Sequence, residues 1–475
     1  MSWHSSLLII TLLCSAVFVR AADVFAWPLS LPRPLPGGQP VVSDTSELFL
    51  KGPAHIRRDV EISAVVPTVD FMYYPGQTYR AEWSAWGEAT VVNGKYYSSI
   101  GDHGVGLVNT FVHEYDPATK TLRQVVDVSA VLNQPRGHYT PGKIHGRIDL
   151  AKDGWLYFGT FFGSLSAGSD QFHYEGDWIL RYNPQTDQTE IVEHAPVGRR
   201  SIYGSVVDPD RMIFYGIGWP GQNHPSGNRD FLFFAYDLQT RNVVHSAPMH
   251  HQGLDNDLIF SNSTGRVYYR HKNGMNLRRY DPETGEDIKL RVSVGNLVAA
   301  TEETAGGFVY TADANGNLYA FDTNTEQVDN LGSAVVGHEG YITNLDVDPT
   351  GRYLYYMPGA DGFSPNDGTP VVQFDLQTRK KTILAFLNPF YQDTYGFTVV
   401  GSYGGAIDPS GDELYITWHG NDNGMNVWYE STAMTVVHIP IPEPSSLLLC
   451  VVGIGIIALW TRRYSGRYGY TQSPA

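Results

Sequence analysis

The sequence predicts an all-β fold, on the basis of its composition and of a short motif that recurs along the chain. Aromatic residues make up 13% of the 475 residues, and glycine occurs 49 times. Aromatic and β-branched residues favour strands, and glycine favours the turns between them. Apolar residues reach 42%, so the chain can bury a sizeable core. This composition disfavours a helical bundle.

The recurring motif consists of an aromatic residue, Asp or Asn, often Pro, a variable residue and Thr. An Asp side chain can accept a hydrogen bond from the backbone two residues on, and Pro presets φ, so the motif predicts a hairpin turn. It occupies residues 115–119, 182–186, 236–240, 280–284, 321–325 and 374–378. A second motif, Asp followed by a Gly turn and an apolar–Tyr pair, begins at Asp149, Asp348 and Asp408.

Together the two motifs predict units of four antiparallel strands, and a repeat of about 40–50 residues is typical of β-propeller blades. Seven such units predict a seven-bladed β-propeller over residues 59–440, with an open stack of sheets or a six-bladed ring as the alternative. The seventh unit lacks its outermost strand. We expect the alternating segment 60–66 to supply that strand and so remove the open edge of the ring.

The N-terminal segment predicts export. Residues 7–19 form a short apolar run, and Val19 and Ala21 occupy the −3 and −1 positions of a cleavage site, which is typical of a signal peptide at 1–21. Residues 22–58 are rich in proline and are expected to form a surface linker.

The C-terminal segment, residues 441–475, has three parts. Pro442, Glu443 and Pro444 precede an apolar run at 447–460, and Arg462 and Arg463 follow it directly. This arrangement resembles the PEP-CTERM sorting signal of bacterial surface proteins. The resemblance implies a short transmembrane helix at 447–460, an exosortase-type sorting protease as partner, and a location at the cell envelope or extracellular surface. A plain C-terminal membrane anchor, transient or retained, is the alternative.

Several classes of function are disfavoured by composition. The two cysteines, Cys14 and Cys450, lie in the terminal segments, so the body has no disulfide framework, thiolate metal site or cysteine nucleophile. A net charge of −16 argues against a nucleic-acid partner. The sequence contains no GxSxG, HExxH, phosphate-loop or dinucleotide-binding motif. We expect a monomer.

Many of the sixteen histidines map to one face of the predicted propeller. The loops that enter the innermost strands and the loops that join second to third strands share the face around the channel mouth. Neutral imidazole is a common metal ligand and a general acid or base near pH 7. The candidate catalytic residues are His138, His145, Arg147 and Arg199. The candidate metal ligands are His145, His250, His251 and His338.

Imidazole and guanidinium groups together suit an anionic ligand such as a uronate, because Arg binds carboxylates in a bidentate manner. The arrangement resembles oligogalacturonate lyases, which are propellers with a His-held metal ion and Arg substrate clamps. Glu88, Asn296 and Asn344 are also placed similarly to the Ca²⁺ ligands of gluconolactonase-like propellers. These resemblances imply a divalent metal cofactor, Mn²⁺, Zn²⁺ or Ca²⁺.

The function expected from the sequence is therefore an exported, surface-associated propeller that binds a carbohydrate or another extracellular polymer such as a polysaccharide. The alternative is a metal-assisted lyase or lactonase acting on acidic sugars. A scaffold for surface assembly is a third hypothesis, and the sequence leaves open whether the chain is catalytic.

Overall fold

The repeated units form seven antiparallel sheets arranged as blades around a central channel, within the residues that the computed structural model describes. Those residues are 34–77, 83–105, 108–221, 231–249, 257–271, 274–422 and 431–439. The predicted seven-bladed β-propeller is confirmed. The predicted signal peptide, 1–21, and sorting tail, 441–475, lie outside these ranges. Within the ranges, none of the helices has the length and hydropathy needed to cross a membrane.

In each of the first five blades, the strands follow one another in chain order from the innermost to the outermost. Blade 1 contains Trp83–Ser84 and Thr90–Val92, which both pair with Lys95–Asp102, then Thr110–Asp116 and Thr121–Asp127. Blade 2 contains Asp149–Leu150, Leu156–Gly159, Trp178–Asn183 and Gln188–His194. Blade 3 contains Arg200–Asp208, Ile213–Pro220, Phe231–Asp237 and Asn242–Met249. Blade 4 contains Ile259–Phe260, Val267–Arg270, Leu277–Tyr280 and Asp287–Lys289. Blade 5 contains Ala299–Ala300, Phe308–Ala312, Asn317–Asp322 and Gln327–Ser333.

The last two blades each receive strands from the N-terminal region. Blade 6 contains Leu345–Val347, Tyr353–Tyr356, Pro370–Asp375 and Lys381–Phe386, and then Val60–Ile62. Blade 7 contains Phe397–Ile407, Glu413–Asp422 and Ser431–His438, and then Thr68–Tyr73 and Val42–Thr45.

Short helices occur only in the connections of the described chain. The two α-helices are Val128–Leu132 and Phe390–Tyr395, and the 3₁₀-helices are Pro36–Gly38, Glu47–Leu50, Leu165–Ala167, Asp170–Phe172 and Ser364–Asp367. Helix Val128–Leu132 begins where the Asp127 side chain accepts a hydrogen bond from the Ala130 N–H.

The recurring motif forms the turn between the third and fourth strands, as predicted. In blade 2, the Asn183 side chain accepts hydrogen bonds from the backbone N–H groups of Gln185 (2.9 Å) and Thr186 (3.1 Å). Asp237 and Asp375 hold the corresponding turns of blades 3 and 6 in the same way. The side chain thus replaces backbone partners that the turn itself cannot supply.

Burial follows the position of each strand in its blade. The second strand of blade 2, Leu156–Gly159, is buried throughout, whereas the outermost strand, Gln188–His194, is largely exposed. Inner strands are covered on both faces because each blade packs against two neighbours, which explains their near-continuous apolar sequences. The hydrophobic core therefore lies between the blades.

Blade 7 is completed by strand Thr68–Tyr73, which pairs antiparallel with Ser431–His438. The prediction that the N-terminal region closes the ring is confirmed, but the choice of segment 60–66 is wrong. The seam is reinforced by Tyr74, whose hydroxyl lies 2.6 Å from both Ser98 Oγ of blade 1 and Thr417 Oγ1 of blade 7. The first and last blades are thereby joined through one side chain.

Residues 34–63, the N-terminal strap, run along the outer edges of blades 7 and 6. Val42–Thr45 pairs with the closing strand, and Val60–Ile62 pairs in parallel with residues 381–383 of blade 6. Phe49 of the strap is fully buried against Phe390 and Tyr391. The strap therefore adds to the cores of two blades.

Candidate functional site

The central channel contains a cavity of about 610 Å³, lined by the innermost strands of blades 1, 2, 5, 6 and 7 and the turns that follow them. We call it the channel cavity. Five of its polar lining residues are Glu88, Arg147, Asp149, Glu302 and Asp346. Carboxyl groups therefore outnumber guanidinium groups among these five.

Arg147 joins three blades across the channel. Its Nε lies 2.9 Å from Glu88 Oε2 of blade 1, and its Nη2 lies 3.4 Å from Asp257 Oδ2 beside blade 4. Nη2 also donates to the Ala300 carbonyl of blade 5. The guanidinium is nearly buried, and the carboxylates around it raise its pKa against the opposing effect of burial. Arg147 is thus held by the protein's own carboxylates.

Burial raises the pKa of Glu88 well above its ordinary range. Arg147 acts to lower this pKa, whereas the neighbouring carboxyls of Asp257 and Asp346 raise it further. A carboxyl group in these surroundings holds its proton at a higher pH than one in water.

Two further carboxyls of the channel cavity titrate near neutrality. Burial raises the pKa of Asp149 to about 7, although Arg147 and the Val207 N–H act in the opposite direction. Burial and then Glu302 raise the pKa of Asp346 to about 7. Many functional sites contain buried carboxyl groups that titrate near pH 7.

Local backbone geometry brings these side chains together. A Cβ atom at Gly87 would lie 2.6 Å from the carbonyl oxygen of Ile144, so glycine allows the Glu88 segment to approach blade 2. Asp149 accepts from the Val207 N–H of blade 3 at 2.9 Å. The Asn344 side chain lies between Asp346 Oδ2 (3.3 Å) and the Gly405 amide (2.9 Å).

A second group of residues lies nearer the loops that join second to third strands. Its members come from the innermost strands of blades 1, 2 and 7 and the segments next to them, from the loop after the second strand of blade 1, and from the second strand of blade 7. We call it the upper cluster, and it comprises Trp86, His103, Lys143, His145, Tyr403 and His419. The Trp86 ring packs on all three imidazoles and on Tyr403, with centroids 4.7–5.9 Å apart. Lys143 is buried and places Nζ 4.1 Å from the centroid of the Trp86 ring, a cation–π geometry.

The imidazoles of the upper cluster are neutral at pH 7. Burial, followed by the charge of Lys143, lowers the pKa of both His103 and His145 to about 3. Burial also lowers the pKa of His419 to about 4. Nδ1 of His145 is buried with no hydrogen-bond partner in the described structure. Lys143 therefore carries the positive charge of this cluster.

The candidate residues from the sequence are distributed over several places. His145 belongs to the upper cluster, while Arg147 lies two residues further along the strand in the channel cavity. His138 stacks on His173 (centroids 4.4 Å apart), and Arg199 pairs with Asp170. The structure does not bring these four candidate catalytic residues into one group.

The candidate metal ligands are also separated where they can be located. His145 and His338 belong to different clusters, since His338 stacks on His55 of the N-terminal strap. His250 and His251 lie outside the described residues, as do Pro442, Glu443, Pro444, Arg462 and Arg463. Glu88 and Asn344 both line the channel cavity, and Asn296 is not among its lining residues.

Sequence reasoning named His145 but not the residues that surround it in the upper cluster, and it missed most of the channel carboxyls. The second motif groups Asp149 with Asp348 and Asp408, yet the latter two accept hydrogen bonds within their own turns whereas Asp149 bonds blade 3. Asp346 lies between two apolar residues of an innermost strand. A charged residue in such a position is the signal that points to the channel.

Comparisons with known proteins add little to this description. No protein family model matches the chain, and no curated protein matches it. A solved structure described as "Structure of U3-55K" is similar over 78% of this chain and 98% of that chain, with 9% sequence identity and a TM-score of 0.49.

Proposed function

We propose that this propeller is a carbohydrate-binding protein whose channel cavity holds a neutral or amino sugar. The observation that carries the proposal is the cavity of about 610 Å³ lined by carboxyls that include Asp149 and Asp346, with pKa values raised to about 7. Ligand sites for small molecules are typically cavities of a few hundred Å³ with a small number of placed polar groups.

Carboxyls in this state match the chemistry of a sugar. A protonated carboxyl donates one hydrogen bond and accepts others, whereas an ionised carboxylate only accepts. Sugar hydroxyls both donate and accept, so a cavity with carboxyls in both states can satisfy them. Thr301 and Asn344 add a hydroxyl and an amide to the same lining.

The charge of the cavity favours a neutral or cationic sugar over a uronate. Glu88, Asp149, Glu302 and Asp346 all line it, and Arg147 is paired with Glu88 and Asp257. A uronate would bring a further carboxylate into this field without a free guanidinium to pair with. An amino sugar would find carboxylates instead.

The test is a binding assay on the full chain with neutral, amino and uronic oligosaccharides. Asp346→Asn should weaken binding of a neutral or amino oligosaccharide by about tenfold, the effect of one hydrogen-bonded charged group. Asp329→Asn is the matched control, because Asp329 forms an exposed ion pair with Arg379 outside the cavity. Binding that is absent, or equal in Asp346→Asn and wild type, would overturn the proposal.

We further propose that the protein acts outside the cytoplasm. This part rests on the sequence of residues 1–21 and 441–475, with an exosortase-type protease as the processing partner. Mass spectrometry of the mature protein from its host tests it. A chain that begins at Ala22 and ends near Pro442 is expected, and retention of both terminal segments would contradict the proposal.

The second candidate is a lyase or lactonase acting on acidic sugars. One observation favours an enzyme: Asp149 and Asp346, with pKa values near 7, are suited to general acid–base catalysis at neutral pH. Incubating the full chain with oligouronates and sugar lactones, with and without Ca²⁺, Mn²⁺ or Zn²⁺, separates the candidates. Turnover that is lost in Asp149→Asn would support the enzyme over the binding protein.

A further inference from the structure

The N-terminal strap places His55 against blade 6, where it meets His338 and Asp367. The imidazole rings of His55 and His338 stack in parallel, with centroids 4.1 Å apart and planes inclined by 4°. Asp367 Oδ1 lies 2.8 Å from His55 Nε2. Two ring nitrogens and one carboxylate oxygen therefore lie within 4.8 Å of one another.

The Asp367 carboxylate is held in a fixed orientation. It is fully buried, and it accepts hydrogen bonds from the backbone N–H groups of His338 (3.0 and 2.9 Å) and Glu339 (2.9 Å). The loop can wrap around it because residue 337 is glycine: a Cβ atom there would lie 2.3 Å from Asp367 Oδ1. A carboxylate fixed in this way is preorganised as a ligand.

The Asp367 carboxylate has one potentially cationic side-chain partner among the described residues. A buried carboxylate is costly unless a positive group accompanies it. Among the described residues, His55 is the potentially cationic side chain within 4.0 Å of Asp367. A neutral imidazole is the form that binds a metal ion.

His55 is held in place by the strap on its C-terminal side. The Arg57 N–H donates to the Val336 carbonyl at 2.9 Å, and Val60–Ile62 pairs with the edge of blade 6. The His55 side chain is 32% exposed, so its ring can rotate without displacing the core.

We propose that His55, His338 and Asp367 bind a divalent transition-metal ion such as Zn²⁺, which fastens the N-terminal strap to blade 6. Two imidazoles and one carboxylate form a donor set that Zn²⁺ accepts, with a water as the fourth ligand. Ligands at about 2.0–2.2 Å from a tetrahedral ion lie roughly 3.4 Å from one another. Small rotations of the two exposed imidazoles are sufficient to reach this spacing.

The experiment is a titration of the untagged full chain with Co²⁺, whose visible absorption reports tetrahedral coordination, followed by competition with Zn²⁺. The key variant is His55→Asn, which removes the imidazole and leaves an uncharged polar side chain. The matched control is His173→Asn at another stacked imidazole pair, His138 and His173. Asn tolerates the positive φ of 55° at position 173.

The wild type and His173→Asn should each bind about one equivalent of Co²⁺. His55→Asn should bind the ion on the order of 100-fold more weakly, as expected for the loss of one of three ligands. Zn²⁺ should raise the melting temperature of the wild type and not that of His55→Asn, because binding stabilises only the folded state that presents the site. His338→Asn is a second variant with the same expected result. Absence of the Co²⁺ spectrum in the wild type, or its persistence in His55→Asn, would overturn the proposal.

Discussion

Asp70 on the closing strand and His438 on the last strand of blade 7 form an ion pair across the seam of the propeller, with Oδ2 and Nε2 3.2 Å apart. Lys120 of blade 1 places Nζ 2.7 Å from the same carboxylate oxygen. Glu413 contacts the other ring nitrogen of His438 at 3.2 Å. One buried carboxylate thus joins the closing strand to the last strand of blade 7 and to blade 1.

The seam predicts a loss of stability at alkaline pH. Hydrogen bonds with Asp70 and Glu413 raise the pKa of His438 to about 9. Protonated His438 therefore stabilises the folded state fully below the ordinary histidine pKa of about 6.5, and this stabilisation is lost as pH rises through about 9. Urea unfolding at pH 6 and pH 10 measures it. His438→Gln should reduce the difference between the two pH values, and an unchanged difference would contradict the prediction.

The same seam predicts a loss of stability at acidic pH. Burial alone would raise the pKa of Asp70, but hydrogen bonds with His438, Lys120 and Ser43 outweigh burial and lower it to about 2. Its contribution is present above the ordinary pKa of about 3.9 and is lost as pH falls toward 2. Asp70→Asn should cost about 1–3 kcal/mol at pH 6 and much less at pH 2, as measured by urea unfolding. A cost that is independent of pH would contradict this assignment.

The identity of the closing strand predicts a contrast between two apolar residues. Phe71 is fully buried and packs against Tyr391, Tyr395 and Phe397, so Phe71→Ala should destabilise by about 3–5 kcal/mol. Ile62 is 44% exposed on the strap, so Ile62→Ala should change stability by no more than about 0.5 kcal/mol. Thermal or chemical unfolding compares them, and a larger cost at Ile62 would favour closure by segment 60–66.

The blades were predictable from the sequence because their signals are local. Each Asp-x-x-Thr turn lies within about 10 residues of the two strands that it joins, and hairpins form from such neighbours. The closing strand was not predictable in the same way. Segments 60–66 and 68–73 both combine apolar residues with one carboxylate side chain, and only contacts with residues more than 300 positions away place Phe71 rather than Ile62 in the core.

The candidate site was harder to predict from the sequence for the same reason. His138 and His145 are close in sequence, yet the structure directs one to His173 and the other to Trp86. The group formed by His55, His338 and Asp367 joins three distant segments. The sequence alone points to His338, whereas its partners depend on how the strap crosses blade 6.

The raised pKa values of the channel carboxyls predict a loss of stability at neutral and alkaline pH. Because the pKa of Asp346 is raised to about 7, the folded state binds more protons than the unfolded state between about pH 4 and 7. Its effect on stability therefore becomes less favourable as pH rises through this window. Asp346→Asn should be about 1–2 kcal/mol more stable than wild type at pH 8 and equal to it at pH 4, less than the full shift implies because the channel admits water.

Urea unfolding at the two pH values checks this expectation. Asp329→Asn, the exposed control, should show no such gain. A loss of stability in Asp346→Asn at pH 8 would instead mean that the ionised carboxylate supports the fold.

The sequence of the C-terminal segment predicts that its basic residues are required for cleavage and sorting. Replacing Arg462 and Arg463 by Gln should leave an uncleaved product that is wrongly sorted, because basic residues directly after an apolar segment fix its orientation in the membrane. Arg467→Gln is the matched control, since Arg467 lies outside the Arg pair. Mass spectrometry and fractionation of the host measure the outcome, and normal processing of the double variant would favour an inert tail or a simple anchor.

The closing strand must also wait for its partner strand during translation. Residue 68 leaves the ribosome about 370 residues before its partner at position 438, which at about 5–20 residues per second is a delay of roughly 20–75 s. During that interval the strand has a free edge and an uncovered Phe71, features that promote pairing with other nascent chains. Until the last blade emerges, every nascent chain exposes an unpaired strand that can associate with other chains. The yield of correctly closed propellers should therefore depend on the rate of translation.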